Sequence, residues 1–335
     1  MIKYSFLDLA HVTSDTTIAE TFQKSVACAQ HAEKLGFMRY WFAEHHNMEN
    51  VASSATSILI GYIAGKTNSI RVGSGGIMLP NHSPLIVAET FGTLATLFPD
   101  RIDLGLGRAP GTDQQTAHFI RPDFLKNAQE FPKNLQYLQQ FFSEDNKQSP
   151  VRAIPGEGVD VPIWILGSSP DSAYVAASFG LPYAFASHFA PASMSQAFHL
   201  YENNFSKQGD LDEPYKMAAA NIIIADTMEE AQSLATSFYR MFLGIVRDQR
   251  IPMQPPVKNM EGLWNVNEEA YVRQMTSFSF IGTKETVKRD LINSISRLKI
   301  QELIMSCPIY YLEDKLKSMR YLAEIIEEIN SENQL

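Results

Sequence analysis

The amino-acid sequence predicts an α/β protein of the (β/α)8 TIM-barrel class, formed by residues 1–335 as a single domain. Strand-like and helix-like segments alternate along the chain, and eight of the apolar segments have the short form of strands in a parallel sheet. The segment after the first strand, Asp8-Leu9-Ala10-His11, lacks the G-x-G-x-x-G fingerprint of a doubly wound sheet. We therefore favour the barrel, with the doubly wound open sheet as the alternative.

Local signals place the ends of several elements. Thr17 with Glu20 and Thr227 with Glu230 form capping-box patterns before helical segments, and Gly36 stands where a helix should end. The predicted strands are residues 2–9, 39–42, 70–77, 102–106, 163–166, 183–186, 218–225 and 302–306. The predicted helices are residues 18–35, 52–66, 84–97, 124–142, 171–179, 192–207, 228–247, 284–298 and 312–329.

An insertion at about residues 248–282 breaks the regular alternation before the eighth strand. It holds Pro252, Pro255 and Pro256, followed by Trp264, and it carries no clear period of apolar residues. Long connections in compact domains are often lids or binding loops. We therefore expect this insertion to cover the functional site.

Composition and charge exclude several classes of function. The 335 residues are 45% hydrophobic and 19% charged with a net charge of −9, which is typical of a soluble cytoplasmic protein. The negative charge argues against nucleic acid and anionic membranes as partners. Residues 1–7 do not form a signal peptide, and no apolar run reaches the length of a membrane span. Cys28 and Cys307 lie far apart and predict neither a disulfide framework nor a metal site.

Glu44, His45 and His46 directly follow the second predicted strand. The carboxyl ends of barrel strands form the active-site face, so one of these histidines is a candidate for proton transfer near neutral pH. Glu44 would then bond a ligand amide or orient the histidine. A polar loop without a special role is the simpler interpretation. A metal pair is disfavoured because matched ligands at the usual spacing are missing.

Three further strand ends carry residues suited to a flat, anionic ligand. Gly75 and Gly76 leave bare backbone that a ring system can approach, although tight barrel packing would also explain glycine there. Arg108 follows the fourth strand, where an anion contact is more expected than on an open surface. Residues 167–172 precede a helix, whose N-terminus suits a phosphate as well as an ordinary N-cap. The sequence has neither a P-loop nor a Gly-x-Ser-x-Gly nucleophile elbow.

Long, specific motifs occur along nearly the whole chain. They are Ser5-Phe6-Leu7-Asp8-Leu9, Trp41-Phe42-Ala43-Glu44-His45-His46, Gly76-Ile77-Met78-Leu79-Pro80-Asn81-His82-Ser83-Pro84, Ala88-Glu89-Thr90-Phe91-Gly92-Thr93-Leu94, Pro99-Asp100-Arg101-Ile102-Asp103-Leu104-Gly105-Leu106-Gly107-Arg108-Ala109-Pro110-Gly111, and Phe280-Ile281-Gly282-Thr283 with Val287. Together they resemble the bacterial luciferase-like flavin monooxygenase family, and within it the luciferase-like class oxidoreductases.

The resemblance implies FMN at the carboxyl-terminal face of the barrel. It implies that Glu44 is the acidic group near the flavin and that His45 is the catalytic histidine. Gly75 and Gly76 match the non-proline cis peptide that lies beside the isoalloxazine in luciferase. The other cofactor-binding positions that it implies are Arg108, Ser169 and Ser172 at the phosphate, and Leu166 and Gly167 beside the flavin.

Two departures from luciferase narrow what the resemblance implies. Pro110 has no N–H at a position whose amide reaches the phosphate in luciferase. Residues 248–280 differ from luciferase's own mobile loop. Light emission and the use of long-chain aldehydes are therefore not expected of this chain.

The function that the resemblance implies is an FMN-dependent monooxygenase that uses O2 to oxidise a small organic substrate. Reduced FMN would come from a separate NAD(P)H:flavin reductase, because the sequence has no NAD(P)H fingerprint of its own. No metal is expected, and the resemblance suggests a homodimer that packs through the early helices. A non-catalytic flavin-binding protein and a deazaflavin-dependent oxidoreductase on the same barrel stay open as alternatives.

Overall fold

A computed structural model describes residues 1–209 and 211–332, in which strands and helices alternate. The strands are β1 Lys3–Asp8, β2 Arg39–Phe42, β3 Arg71–Met78, β4 Ile102–Gly107, β5 Ile163–Gly167, β6 Tyr183–Phe185, β7 Lys216–Ile224, β8 Ser279–Gly282 and β9 Glu302–Ser306. The helices are α1 Ile18–Lys34, α2 Thr56–Ala64, α3 Pro84–Leu97, α4 Gln114–Ile120, α5 Phe124–Gln129, α6 Phe131–Phe142, α7 Pro170–Ser178, α8 Met194–Asn203, α9 Met228–Val246, α10 Val266–Met275, α11 Lys284–Leu298 and α12 Leu312–Ser331.

Eight of the strands in the described residues close into a parallel barrel. β1 pairs with β2 and with β9, and the pairing continues from β2 to β6 in chain order. β6 and β9 both pair with β7, which closes the ring. Because all these pairings are parallel, the carboxyl ends of the strands lie together at one end of the barrel, called the rim below. The predicted (β/α)8 TIM barrel is confirmed.

The insertion before the last barrel strand has secondary structure that the sequence pattern did not predict. It contains α10, which a capping box of Asn265 with Glu268 begins, and the short strand β8. β8 pairs with residues 221–224 of β7, beyond the residues 216–218 that pair with β6. The main chain of Met253 is hydrogen-bonded to Val12 and Ser14, which fixes the insertion to the segment after β1.

Most predicted elements agree with the structure, and one helix prediction is wrong. Residues 124–142 form two helices, α5 and α6, which meet at Glu130. Pro132 lies in the first turn of α6, where its missing N–H costs no hydrogen bond, whereas inside a continuous helix proline would break the hydrogen-bond ladder, so α5 ends before it. Gly36 and Gly180 follow α1 and α7 with φ angles of 76° and 62°, the left-handed conformation expected after a helix end.

Both cysteines are free and buried. Burial raises the pKa of the Cys28 and Cys307 thiols to about 12, so both are protonated at neutral pH. Among the helices of residues 1–209 and 211–332, none combines the length and the apolar character needed to cross a bilayer.

A buried polar cluster closes the end of the barrel opposite the rim. Arg39 donates hydrogen bonds to Asp103 at 2.8 Å and to Glu302 at 3.0 Å. Asp103 also accepts from Trp41 Nε1 at 3.1 Å and from Arg71 Nε at 2.8 Å. Both carboxylates are fully buried. The cluster therefore links β2, β3, β4 and β9 across the interior of the barrel.

Aromatic and aliphatic side chains fill the barrel between this cluster and the rim. The Trp41 and Trp164 rings pack edge to face with their centroids 5.2 Å apart, and the Arg39 guanidinium lies 4.6 Å from the Trp164 ring. Leu7, Met217 and other buried apolar residues complete this layer. The barrel interior is thus largely packed, with a small cavity of about 30 Å³ beside Trp41 and Met217, and the larger cavities lie at the rim.

Removing one charged partner of the Arg39 cluster is expected to destabilise the protein. Burial alone would lower the pKa of Arg39, but the Asp103 and Glu302 carboxylates outweigh burial and raise it, so Arg39 is charged. Removing one partner of a buried ion pair leaves an uncompensated charge in the interior, which typically costs about 3–5 kcal/mol.

We predict that Asp103→Ala lowers the free energy of unfolding by about 3 kcal/mol or more, because Arg39 then loses a buried counterion. Urea unfolding monitored by circular dichroism measures this. Glu269→Ala is the control, since it removes the exposed i,i+4 partner of Arg273 and should leave stability almost unchanged. Equal losses in the two variants would contradict a structural role for the cluster.

Candidate active site

Two adjoining cavities open at the rim. The first, about 300 Å³, lies over the ends of β3, β4 and β5 and is called the glycine cavity because Gly75, Gly76 and Gly107 form part of its wall. The second, about 240 Å³, lies beside α9 and the insertion and is called the apolar cavity. His188 and Phe189, together with His45, line both cavities. The two spaces therefore meet at these three side chains.

The structure brings nearly all the predicted site residues together. The predicted residues that line the glycine cavity are His45, Gly75, Gly76, Arg108, Leu166, Gly167, Ser169 and Ser172. Glu44 alone among the predicted residues does not line it. His11 lines the apolar cavity, whereas Asp8 lines neither cavity, and its carboxylate accepts hydrogen bonds from the Ala10 amide and the Tyr40 hydroxyl.

His45 lies at the junction in one defined orientation. Its Nδ1 lies 3.2 Å from the Gly111 carbonyl oxygen, and a carbonyl only accepts, so Nδ1 carries the proton of the neutral ring. Nε2 makes no hydrogen bond with any described residue, so its lone pair is available. Burial lowers the pKa of His45, so the ring is neutral at pH 7.

Glu44 lies behind the wall of the glycine cavity with a side chain that is 1% exposed. Its carboxylate accepts hydrogen bonds from His46 Nε2 at 2.9 Å, from His82 Nε2 at 3.0 Å and from Asn81 Nδ2 at 3.1 Å. The Met78 amide, at the end of β3, donates to it at 2.9 Å. Protein donors thus occupy both carboxylate oxygens, and the expected cofactor contact of Glu44 stays a prediction that this geometry does not support.

The donors also explain the charge state of Glu44. Burial alone would raise the pKa of Glu44, but hydrogen bonds from His46 and His82, with the Met78 amide, outweigh burial and lower it to about 2. An ionised carboxylate that accepts this many hydrogen bonds is held in one position. It joins the segment after β2 to the end of β3 and to the turn that follows.

Gly75 and Gly76 of β3 have both features that the sequence allowed, which are tight strand packing and bare backbone on a cavity wall. A Cβ on Gly76 would lie 2.7 Å from the Gly105 carbonyl oxygen, and one on Gly75 would lie 2.9 Å from Leu7 Cδ1, so strand packing leaves little room for a side chain. Their backbone at the same time forms bare wall in the cavity, and the peptide bond between them is cis. A flat ligand can therefore approach the main chain here.

The opposite end of the glycine cavity is polar. Arg108 Nη2 donates to Asp171 Oδ2 at 3.0 Å, and both side chains are largely exposed. Ser169 is the N-cap of α7, but its hydroxyl makes no capping hydrogen bond. The first-turn amides of a helix have no acceptor within the helix, so this end of α7 offers donors and a partial positive charge.

Ser172 is held differently from Ser169. Its Oγ lies 2.7 Å from the Ser169 carbonyl oxygen and 2.9 Å from the Tyr183 hydroxyl. A Cβ on Gly167 would lie only 1.7 Å from Ser172 Oγ, so glycine at 167 lets α7 begin directly against β5. The Ser172 hydroxyl is thus committed to the protein, while its main chain belongs to the open turn of α7.

The apolar cavity contains side chains that the sequence patterns did not select. Its walls are mainly aliphatic and aromatic, with Met241 and Phe242 from α9 and Met275 from α10. Arg250 lines it from the insertion, so this segment forms part of the wall of the apolar cavity. Asn50 also lines it and is 7% exposed, and its Oδ1 lacks a hydrogen-bond partner among the described residues.

Three histidines line the apolar cavity, and two of them, His45 and His188, lie at its junction with the glycine cavity. Burial lowers the pKa of His11 and of His188 to about 3, and it lowers that of His45 as well. The Nδ1 atom of His188 has no hydrogen-bond partner in the described part of the chain. His11 and His188 occupy the same position as His45, three residues after the end of a barrel strand, which is β1 for His11, β6 for His188 and β2 for His45. Arg250 and Asn50 had no such signal.

Comparison with known sequences gives relatives over almost the full length. A Bacillus subtilis protein named YvbT is 49% identical over 96% of this chain and 96% of its own. An Escherichia coli K12 protein named luciferase-like monooxygenase is 43% identical over 98% of both chains. The Bacillus subtilis N-acetyl-S-alkylcysteine monooxygenase is 30% identical over 97% of this chain and 98% of its own.

Solved structures share the fold at similar coverage. Apo-MsnO8 superposes with a TM-score of 0.86 at 30% identity, covering 98% of this chain and 99% of its own. The oxygenating constituent of 3,6-diketocamphane monooxygenase from Pseudomonas putida, in complex with FMN, has a TM-score of 0.72 at 15% identity, with coverage of 97% and 98%. An F420-dependent secondary alcohol dehydrogenase with an F420-acetone adduct has a TM-score of 0.70 at 12% identity, with coverage of 97% and 99%.

The family assignment rests on the match of most of the chain. The family model described as luciferase-like monooxygenase matches residues 2–298, which include the insertion and every residue described as lining the two cavities except Ser306. The relatives named above cover the same span at 30% to 49% identity. The chain therefore belongs to the luciferase-like monooxygenase family.

Proposed function

We propose that the protein is an FMN-dependent monooxygenase that takes reduced FMN from a separate NAD(P)H:flavin reductase and uses O2 to oxidise a small organic substrate. One observation carries this proposal. A glycine-walled cavity with an anion-binding end meets a second, apolar cavity at a neutral histidine whose Nε2 is unpartnered among the described residues. Family membership, and the relatives named as monooxygenases, support the same function.

The wall of the glycine cavity suits a flat aromatic ring. Gly75 and Gly76 present main chain without side chains, and Leu7 and Leu166 add apolar surface on the same cavity. A Cβ on Gly107 would lie 2.8 Å from Met78 Sδ, so a third glycine keeps the neighbouring wall thin. The residues present therefore fit the isoalloxazine of FMN.

The polar end of the cavity suits the phosphate of FMN. Arg108, the Ser169 hydroxyl and the open first turn of α7 supply a positive charge and donors, as at other helix-terminal anion sites. Ser172 would act through its amide, because its hydroxyl is held by Ser169 and Tyr183. Arg108 would have to share its exposed pair with Asp171 or leave it.

Reduced FMN, when bound, would supply the two electrons with which O2 delivers one oxygen atom to the substrate while the other leaves as water. The chain's own contribution to this chemistry is positional. His45 lies at the cavity junction with a free Nε2, where it can take up and return a proton. Phe189 covers the same junction, and the apolar walls beyond it exclude water.

Glu44 is proposed as a positioning residue. Its hydrogen bonds hold Met78 and His82, and Asn81 in turn donates to the Pro110 carbonyl oxygen at 3.0 Å. This network fixes the ends of β3 and β4 against each other. The wall that would face the flavin ring is thereby kept in place from behind.

The names of the relatives favour FMN over a deazaflavin. The relatives at 30% and 43% identity are named monooxygenases, whereas the F420-dependent enzyme is 12% identical.

Exposed apolar side chains favour a homodimer over a monomer. Helices α2 and α3 expose Ile58, Ile86 and Leu97, which a second copy could cover. The cytoplasmic location stays a prediction from composition.

We predict that Arg108→Ala weakens FMN binding at least tenfold, because losing a charge-assisted hydrogen bond costs about 1.5–3 kcal/mol. Asp171→Asn is the matched control, because it removes the negative partner of Arg108 instead of the positive charge. It frees Arg108 and removes a negative charge near the phosphate, so FMN affinity should be unchanged or higher. Titration by quenching of FMN fluorescence measures both variants, and a parallel titration with F420 separates the deazaflavin alternative. Wild-type affinity in Arg108→Ala would refute the phosphate assignment.

We predict that His45→Ala leaves FMN affinity within about twofold of wild type but diverts O2 consumption to hydrogen peroxide, because proton transfer at the junction is lost. The measurement uses a supplied flavin reductase with NADH and compares peroxide yield with oxidised product. His118→Ala, an exposed histidine on α4, is the control. A wild-type product yield in His45→Ala would exclude the proton-transfer role.

We predict that Glu44 stabilises the fold above about pH 4.5 and that this contribution is lost as the pH falls. Its pKa is about 2 in the folded protein against an ordinary value of 4.5, so the unfolded chain takes up the proton first. Linkage gives about 3 kcal/mol at neutral pH, of which about 2 kcal/mol is lost by about pH 3. Urea unfolding of wild type and Glu44→Gln at both pH values measures the difference. Parallel pH curves for the two proteins would count against this role.

A further inference from the structure

We propose that the apolar cavity binds a small organic carboxylate with an apolar chain, and that Arg250 is the residue that pairs with its carboxylate. The chain of this ligand would point to the junction with the glycine cavity. The proposal rests on the proposed function in one respect: the glycine cavity is taken as the place of the flavin. It adds the class of substrate and the residue that selects it.

Arg250 has no counterion among the residues that the structure describes. Its side chain forms no ion pair and no hydrogen bond with the residues that the structure describes. Its two neighbours on the same stretch are both engaged, since Arg240 donates to the Pro255 carbonyl oxygen at 2.9 Å and Arg247 to Glu268 at 2.8 Å. The chain has 37 acidic against 28 basic residues, so carboxylates are not scarce. An unpaired arginine on a cavity wall in such a protein is suited to an anionic ligand.

The surroundings leave the charge of Arg250 uncompensated. Neither cavity has an aspartate or glutamate among its described lining residues. The lowered pKa values of His11, His45 and His188 make these rings neutral at pH 7, so Arg250 provides the charge of the apolar cavity. Apolar walls reduce screening, which strengthens a charge pair formed inside them.

Asn50 is a second feature that points to a polar ligand in this cavity. Its side chain is 7% exposed, and its Oδ1 has no partner among the described residues. A buried polar atom left without a hydrogen bond is destabilising, so a native structure usually supplies a partner. Asn50 and Arg250 line the same cavity, and a ligand held there can satisfy both.

The position of Arg250 also orients the ligand. Arg250 lines the apolar cavity but not the glycine cavity, whereas His45, His188 and Phe189 line both. A carboxylate at Arg250 therefore places the far end of the chain at the junction. The carboxylate lies on the apolar-cavity side of the junction, so oxidation is directed to the apolar part of the molecule.

The test measures binding rather than turnover. Straight-chain carboxylates from butanoate to decanoate, and their matched primary amides, are titrated by calorimetry into the full-length protein, both flavin-free and FMN-loaded. We expect each bound carboxylate to bind at least tenfold more tightly than its amide. Affinity should rise about fourfold per methylene until the cavity is filled. Arg250→Gln should weaken carboxylate binding at least tenfold without changing amide binding, and Arg250→Lys should retain part of the preference.

Arg240→Gln is the matched control, because it removes a nearby positive charge that does not line the apolar cavity. It should bind carboxylates as wild type does. Wild-type carboxylate affinity in Arg250→Gln, or equal affinity of wild type for carboxylates and amides, would overturn the proposal. FMN titration of the same proteins separates the two hypotheses: wild type that fails to bind FMN counts against the proposed function, while the flavin-free carboxylate titration still decides the role of Arg250.

Discussion

The ionised carboxylate of Glu44 is the interaction on which the architecture of the rim depends. It is buried, and it satisfies its charge with donors from the segment after β2 and from the end of β3 and the turn beyond. One of those donors, Asn81, also bonds the Pro110 carbonyl oxygen, and Gly111 receives the hydrogen bond that orients His45. Three loops that are far apart in sequence are therefore fixed to one another through a single acidic side chain.

A second buried ionic cluster, around Arg39, links the strands at the other end of the barrel. Between the two clusters the interior is filled by tryptophans and aliphatic side chains. In both clusters the buried charges are hydrogen-bonded, and around Arg39 they are also paired with charges of opposite sign. The cavities at the rim thus stand on a largely packed barrel interior, and their shape is set by loops that are themselves anchored to buried charges.

The barrel and most of the cavity wall could be predicted from the sequence because both follow from local periodicity. Strands of a barrel end at one face, so residues such as His45, Gly76 and Arg108 could be placed together without knowing any contact. The side chain of Glu44 was expected at the cofactor, but it lies behind the wall, since strand position does not determine where a side chain points. The short strand β8 and helix α10 were missed because the proline-rich segment before α10 interrupts the alternation of strands and helices. Arg250 and Asn50 depend on tertiary contacts that no local pattern records.

The insertion and the strand ends form separate parts of one site. Met253 fixes the insertion to the segment after β1, and β8 adds to the edge of β7, yet the glycine cavity is lined by the barrel strands and their own loops. Changes in the insertion can therefore alter the wall around Arg250 and Met275 while the other cavity keeps its lining. Because the two walls come from different parts of the chain, substitutions in this one connection can change which molecule the apolar cavity accepts while the wall of the glycine cavity stays the same.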